Sequence, residues 1–161
     1  YEVLPTLQKL EHDALETGQF YVQLVDYFYE ISIALRYMTE SAYRFIDNNH
    51  EGFTKEQIED MRLLGNELIN LFNDFNTMIE TSDYSGLSEI KERRASILDL
   101  YANLVKHQIS RTKEKESGTR NSILYLNLLN ETKSIVLKSA NLMRAQMGLF
   151  NAAEQHLKEN K

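Results

Sequence analysis

TLQKLEHDALETGQFYVQLVDYFYEISIALRYMTESAYRFIDN, residues 6–48, is the stretch whose reading decides the fold. Counted in sevens, Leu7, Ala14, Tyr21, Phe28, Leu35 and Ala42 form one row, and Leu10, Thr17, Leu24, Ile31, Met38 and Phe45 form a second, three residues on. Alternating steps of three and four place both rows on one side of an α-helix. With no Pro from Thr6 to Asn48, the spacing predicts one rod of roughly 64 Å at about 1.5 Å per residue. Gly18 lies off the stripe and reads as a local weakness, not an end. So long an apolar seam has to be covered by the rest of the chain.

The remaining composition agrees with an all-helical protein. Apolar residues make up 42% of the 161, with only one Pro and six Gly to punctuate loops. That length suits a single domain spanning 1–161. With no Cys, disulfides, thiolate metal sites and a Cys nucleophile are excluded. No apolar run reaches the roughly 18 residues that a membrane span requires. The chain begins at Tyr1 without an initiator Met, as expected of a piece of a longer protein. Charge is uneven: residues 1–60 carry 12 acids against 4 Lys or Arg, a net of −8, and the rest carry 12 against 14, a net of +2, giving −6 in all. An acidic chain of this kind is a poor general nucleic-acid binder, because affinity for phosphate backbones rests on clustered cations, so no nucleic-acid partner is expected.

Beyond the first rod, Asn48 to Phe53 is turn-prone. Thr54-Lys55-Glu56-Gln57 reads as a capping box opening a second helix, to about Thr81. Ser82 to Gly86 is the next turn. A third helix loses its apolar stripe after Ile109, and the polar run Ser110 to Ser117 closes at Gly118. A fourth helix runs from about Thr119 into the C-terminal tail. Short connections favour antiparallel neighbours, hence an antiparallel up-down four-helix bundle with long first and last helices. The length difference predicts a two-helix stalk from residues near 6–18 and 145–158.

Two stretches resemble a known family. One is Arg111-Thr-Lys-Glu-Lys-Glu-Ser-Gly-Thr-Arg120-Asn121-Ser-Ile-Leu-Tyr125-Leu-Asn127-Leu-Leu-Asn130-Glu131-Thr132; the other is Ile33-Ala-Leu-Arg36-Tyr-Met-Thr-Glu40-Ser-Ala-Tyr43 followed by Asp47-Asn48-Asn49-His50. Together they resemble the PhoU-like C-terminal cytoplasmic domain of bacterial sodium/phosphate cotransporter family proteins. The resemblance implies a regulatory domain on the cytoplasmic face of the inner membrane, whose partner is the transmembrane transporter domain of the same chain. It also implies metal binding through an acid-x-x-x-Asp motif. Glu56 and Asp60 match that motif; Asp26 with Glu30, and Asp47 with Glu51, are looser versions. A divalent or ferric ion is the cofactor it suggests. In a chain with 24 acids, chance supplies about three or four such pairs, and solvated helix surface is the competing reading.

Two further groups are candidates. His12 and His156 fall on the expected stalk, near carboxylates, a donor mixture acceptable to zinc or iron. Arg111, Lys113, Lys115 and Arg120 give a cationic turn, and with Asn121 at the start of the fourth helix they form a candidate anion- or partner-binding patch. Arg93 and Arg94 interrupt the third helix's stripe and are expected to snorkel or to pair with acids on the first helix. No nucleophile elbow, phosphate-cradling glycine loop or His-Glu-x-x-His helix is present, so no enzymatic activity is expected. The leading expectation is a regulatory and interaction domain modulating phosphate uptake. A metal-binding four-helix protein and a plain helical scaffold forming a homodimer through the stalk are the alternatives.

Overall fold

The computed structural model describes the backbone of residues 3–159, and the side chains of residue 15, residues 17–155 and residue 158. It is a bundle of four helices: α1 (Val3–Asp47), α2 (Lys55–Thr81), α3 (Leu87–Lys113) and α4 (Thr119–Glu159). The first rod is unbroken through Gly18. None of the described helices is long and apolar enough to cross a membrane.

Local signals fix the helix ends. Thr54 Oγ1 accepts from the Gln57 amide at 3.3 Å, while Gln57 Oε1 accepts from the Thr54 amide at 3.0 Å, completing the expected capping box. Ser82 closes α2 in the left-handed region at φ 53°, its amide donating to Ile79 O. Asp83 then accepts from the Ser85 amide at 2.9 Å, shaping the turn into α3. α3 continues past the end of its apolar stripe at Ile109 and runs to Lys113, because Arg111 and Thr112 have polar partners on α2 and α4 and need no apolar ones.

Packing within the bundle is unequal. Leu64, Leu71 and Phe75 of α2, Ile97 and Leu104 of α3, and Tyr125, Leu129 and Val136 of α4 share one core. α1 lies along α4 and makes no close backbone approach to α2 or α3 among the described residues. Its seam is a second cluster of Leu24, Ile31 and Ala34 against Ile135, Leu142 and Ala145, joined to the first by Leu68 and Phe72 of α2. Burying one Leu or Ile side chain contributes roughly 1.5–3 kcal/mol, so these few positions suffice to dock α1.

The seam corrects the sequence reading of α1. The row through Leu24 and Ile31 does turn inward, but Tyr21, Phe28 and Leu35 remain 62%, 61% and 51% exposed. The inward partner row is one residue earlier and includes Ala34, only 2% exposed. Small residues explain the rotation. Ala34 and Ala145 are both buried along the seam, and Gly148 leaves room for the Phe20 ring, which a Cβ there would meet at 2.5 Å. Close approach of α1 to α4 thereby replaces a symmetric fit among all four helices.

The stalk is shorter than expected on α4. Ala145 is buried, and Phe150 stacks on Tyr84 of the α2–α3 turn with centroids 5.3 Å apart, so the overhang starts after residue 150. The side chains of residues 6–14, with His12, and that of His156 lie outside the described residues.

Candidate functional site

The α1–α2 and α3–α4 turns meet at one pole. A chain of rings anchors the first of them: Phe45 packs on His50 and Phe53, and Phe53 on the buried Tyr125. Asn121 Nδ2 donates to Gly52 O at 2.6 Å, tying the start of α4 to the same turn. Between the turns is a cleft of about 540 Å³ lined by His50, Glu51, Glu116, Arg120 and the first turn of α4.

Beneath the cleft is a buried polar network. Gln57 Nε2 donates to Gln108 Oε1 at 2.9 Å, and Gln108 Nε2 donates to Ser117 Oγ and Ser122 Oγ at 2.8 and 3.0 Å. Both glutamines have no solvent exposure. Alongside, Asp60 Oδ2 accepts from Arg111 Nη2 and from the Tyr125 hydroxyl, each at 2.8 Å. Burial pushes the Tyr125 hydroxyl well above its ordinary pKa, and the Asp60 carboxylate adds to the shift. Burial works against the Arg111 charge, but the bond to Asp60 and its charge outweigh this and the guanidinium pKa rises. A network spanning α2, α3 and α4 with its donors matched to acceptors rigidifies this pole.

The candidate residues fare differently. Arg111 is turned inward on Asp60, so it is unavailable to an outside anion. Lys113 and Lys115 are exposed, Lys115 in the left-handed region at φ 59°. Arg120 is exposed and reaches His50 Nδ1 at 3.5 Å. Asn121 is 7% exposed, and its Oδ1 has no hydrogen-bond partner among the described residues. The cationic turn is therefore divided: Arg120 and Asn121 border the cleft, whereas Arg111 belongs to the interior.

The acidic candidates are divided as well. Glu56 is exposed in the first turn of α2, its pKa lowered by a backbone hydrogen bond and by Thr54. Asp60 is committed to Arg111 and Tyr125. Glu30 pairs with Lys138 of α4, helping to dock α1, while Asp26 is exposed. Among the described residues, no three His, Asp or Glu side chains converge as a metal ion would require. Arg93 pairs with Glu67 and Asp74 of α2, not with acids of the first helix, because α3 borders α2 and not α1.

One feature escaped sequence reading, and another, the aromatic side that tyrosines such as Tyr21, Tyr29 and Tyr43 give the first helix, was legible only as a possible partner groove. Gln57 stands in the heptad row Leu64, Leu71, Met78, and that position was the available sign that it is buried. The other feature is the outer face of α1, where Tyr21, Phe28 and Leu35 are joined by Val22, Val25 and Tyr29, each more than half exposed. Ile58 and Ile79 of α2 continue this surface across two apolar clefts between α1 and α2, of about 480 and 100 Å³.

The geometry defines a helical bundle with a polar, rigid pole and a broad apolar flank. Compared with family models, curated proteins and solved structures, the chain matches none.

Proposed function

We propose that the bundle is a non-enzymatic regulatory and interaction domain, and that it serves a sodium-dependent phosphate transporter by biasing phosphate uptake. The placement rests on the resemblance of Arg111–Thr132 and Ile33–His50 to the cytoplasmic domain of such transporters. One structural observation supports the interaction role: the outer face of α1 is aromatic and aliphatic yet has no covering element among the described residues. Contiguous apolar surface of this kind mediates contacts between proteins. Meanwhile Asp60, Arg111 and Tyr125, the ionisable groups nearest the core, are occupied with one another. A domain of this type acts by contacting one transport state more favourably than another, and can shift the equilibrium only by that difference.

Labelled-phosphate uptake by cells carrying the full-length transporter, with and without this bundle, tests the proposal. A change in uptake rate or phosphate dependence at equal expression supports it. Identical uptake curves would refute it.

A further inference from the structure

We infer that the outer face of α1 is the docking surface for a second copy of this chain, paired antiparallel about a two-fold axis at Ser32. The inference rests on reading the bundle as an interaction domain and names its partner.

Size comes first. Tyr21, Val22, Phe28, Tyr29, Tyr43 and Ile46 are each 61–72% exposed. Aromatic side chains carry roughly 150–250 Å² each, so with Val25 and Leu35 the face presents on the order of 1,000 Å². The largest apolar patch of a typical monomer is about 300–600 Å². A stable interface takes roughly 800 Å² from each partner. The face is too large for an ordinary monomer surface and large enough for a dimer.

The pattern of the face supplies the partner. A two-fold interface must be self-complementary, each residue meeting one equally far from the axis in the other copy. Ser32 is exposed near the midpoint of the face and is small, with its hydroxyl donating to its own helix at Tyr29 O. From Ser32, residues three, four, seven and eleven away in both directions follow the spacing of a helix seam. Antiparallel pairing about that point sets Tyr29 opposite Leu35, Val25 opposite Thr39, and Tyr21 opposite Tyr43. It also sets Phe28 opposite Arg36, the single ionic residue at these positions. Arg36 already lies over the Tyr37 ring at 5.6 Å, so a second aromatic face completes a setting its guanidinium favours. Fourteen residues out, Gly18 faces Ile46, and the missing side chain makes room for the most exposed of these apolar groups. A parallel pair would bring Arg36 against its own counterpart, which like-charge repulsion disfavours.

The chain has no Cys, which makes the test direct. Ser32→Cys is expected to form a disulfide-linked dimer under mild oxidation, and sedimentation of the wild type is expected to give twice 18.8 kDa. Asp26→Cys, exposed on another side of α1, is expected to stay monomeric on denaturing gels. Phe28→Glu is expected to halve the sedimenting mass while leaving the far-ultraviolet helical signal unchanged. A wild type that sediments as a monomer up to several hundred micromolar overturns the inference. So does a dimer that links through Asp26→Cys but not Ser32→Cys. Neither result bears on transport, so phosphate uptake independently decides the reading on which the inference rests.

Discussion

Replacing Gln108 by Leu should destabilise the bundle far more than its gain in hydrophobicity suggests. Gln108 has no exposure and joins α2 to the α3–α4 turn. Ser117 and Ser122 would still hydrogen-bond to each other at 2.7 Å, and Ser122 to Gly118 O, so they keep partners. Gln57 Nε2 would not: its bond to Gln108 is lost in a site closed to water. A buried donor left without an acceptor costs about 1–3 kcal/mol. At about 2–4 °C per kcal/mol for a domain of this size, Tm should fall by roughly 2–12 °C. Replacing Gln57 by Leu as well removes the orphan, at the separate cost of the Gln57 half of the capping box. The double variant should then be more stable than the sum of the single effects by about 1 kcal/mol or more. Urea unfolding followed by helical circular dichroism, at one fixed protein concentration, measures all four corners of this cycle. A Gln108→Leu cost below about 0.5 kcal/mol, the range of ordinary surface changes, with no coupling to Gln57, would show that the network is not closed to water.

Three further outcomes follow from the same contacts. The raised Tyr125 pKa means the folded state favours the neutral hydroxyl, so its contribution is complete below the ordinary value of 10.0 and is lost as pH rises through the higher folded value; alkaline melts should show this loss, and Tyr125→Phe should abolish its share. Asp60→Asn leaves the Arg111 guanidinium, only 15% exposed at its side chain, without its counter-charge, and should cost about 1.5–3 kcal/mol by urea unfolding; an unchanged midpoint would mean that Arg111 swings out to solvent. Gly148→Ala gains about 1 kcal/mol of helix propensity, yet its Cβ would strike the Phe20 ring at 2.5–2.8 Å. Overpacking of this kind costs about 1–3 kcal/mol, so net destabilisation is expected, and a raised Tm would show that α1 yields easily at this point.

The four helices were legible because their signals are local. The heptad rows of α1, the Thr54 capping box and the Ser82–Gly86 turn all act within a few residues, and each placed its element. Which neighbour a helix faces is not local. The row Tyr21, Phe28, Leu35 obeys the same spacing as Leu24, Ile31, Met38, and only the close fit permitted by Ala34, Ala145 and Gly148 decides which row is buried. The turn cations were misleading in part for a related reason. Arg111 looks like Arg120 in sequence, but its place in the last turn of α3 turns it onto Asp60, the carboxylate that also accepts from Tyr125. Where α3 ends depended on polar contacts across helices, which hydrophobic periodicity does not register.

Concentration bears most directly on the role of the α1 outer face. If two copies cover it, folding is coupled to association and the wild-type Tm must climb as the protein is concentrated, while Phe28→Glu holds a constant, lower Tm. Thermal melts of both proteins over a wide concentration series make the comparison. A wild-type Tm that stays level, and is matched by Phe28→Glu at every concentration, would contradict the assignment of that face as an interface.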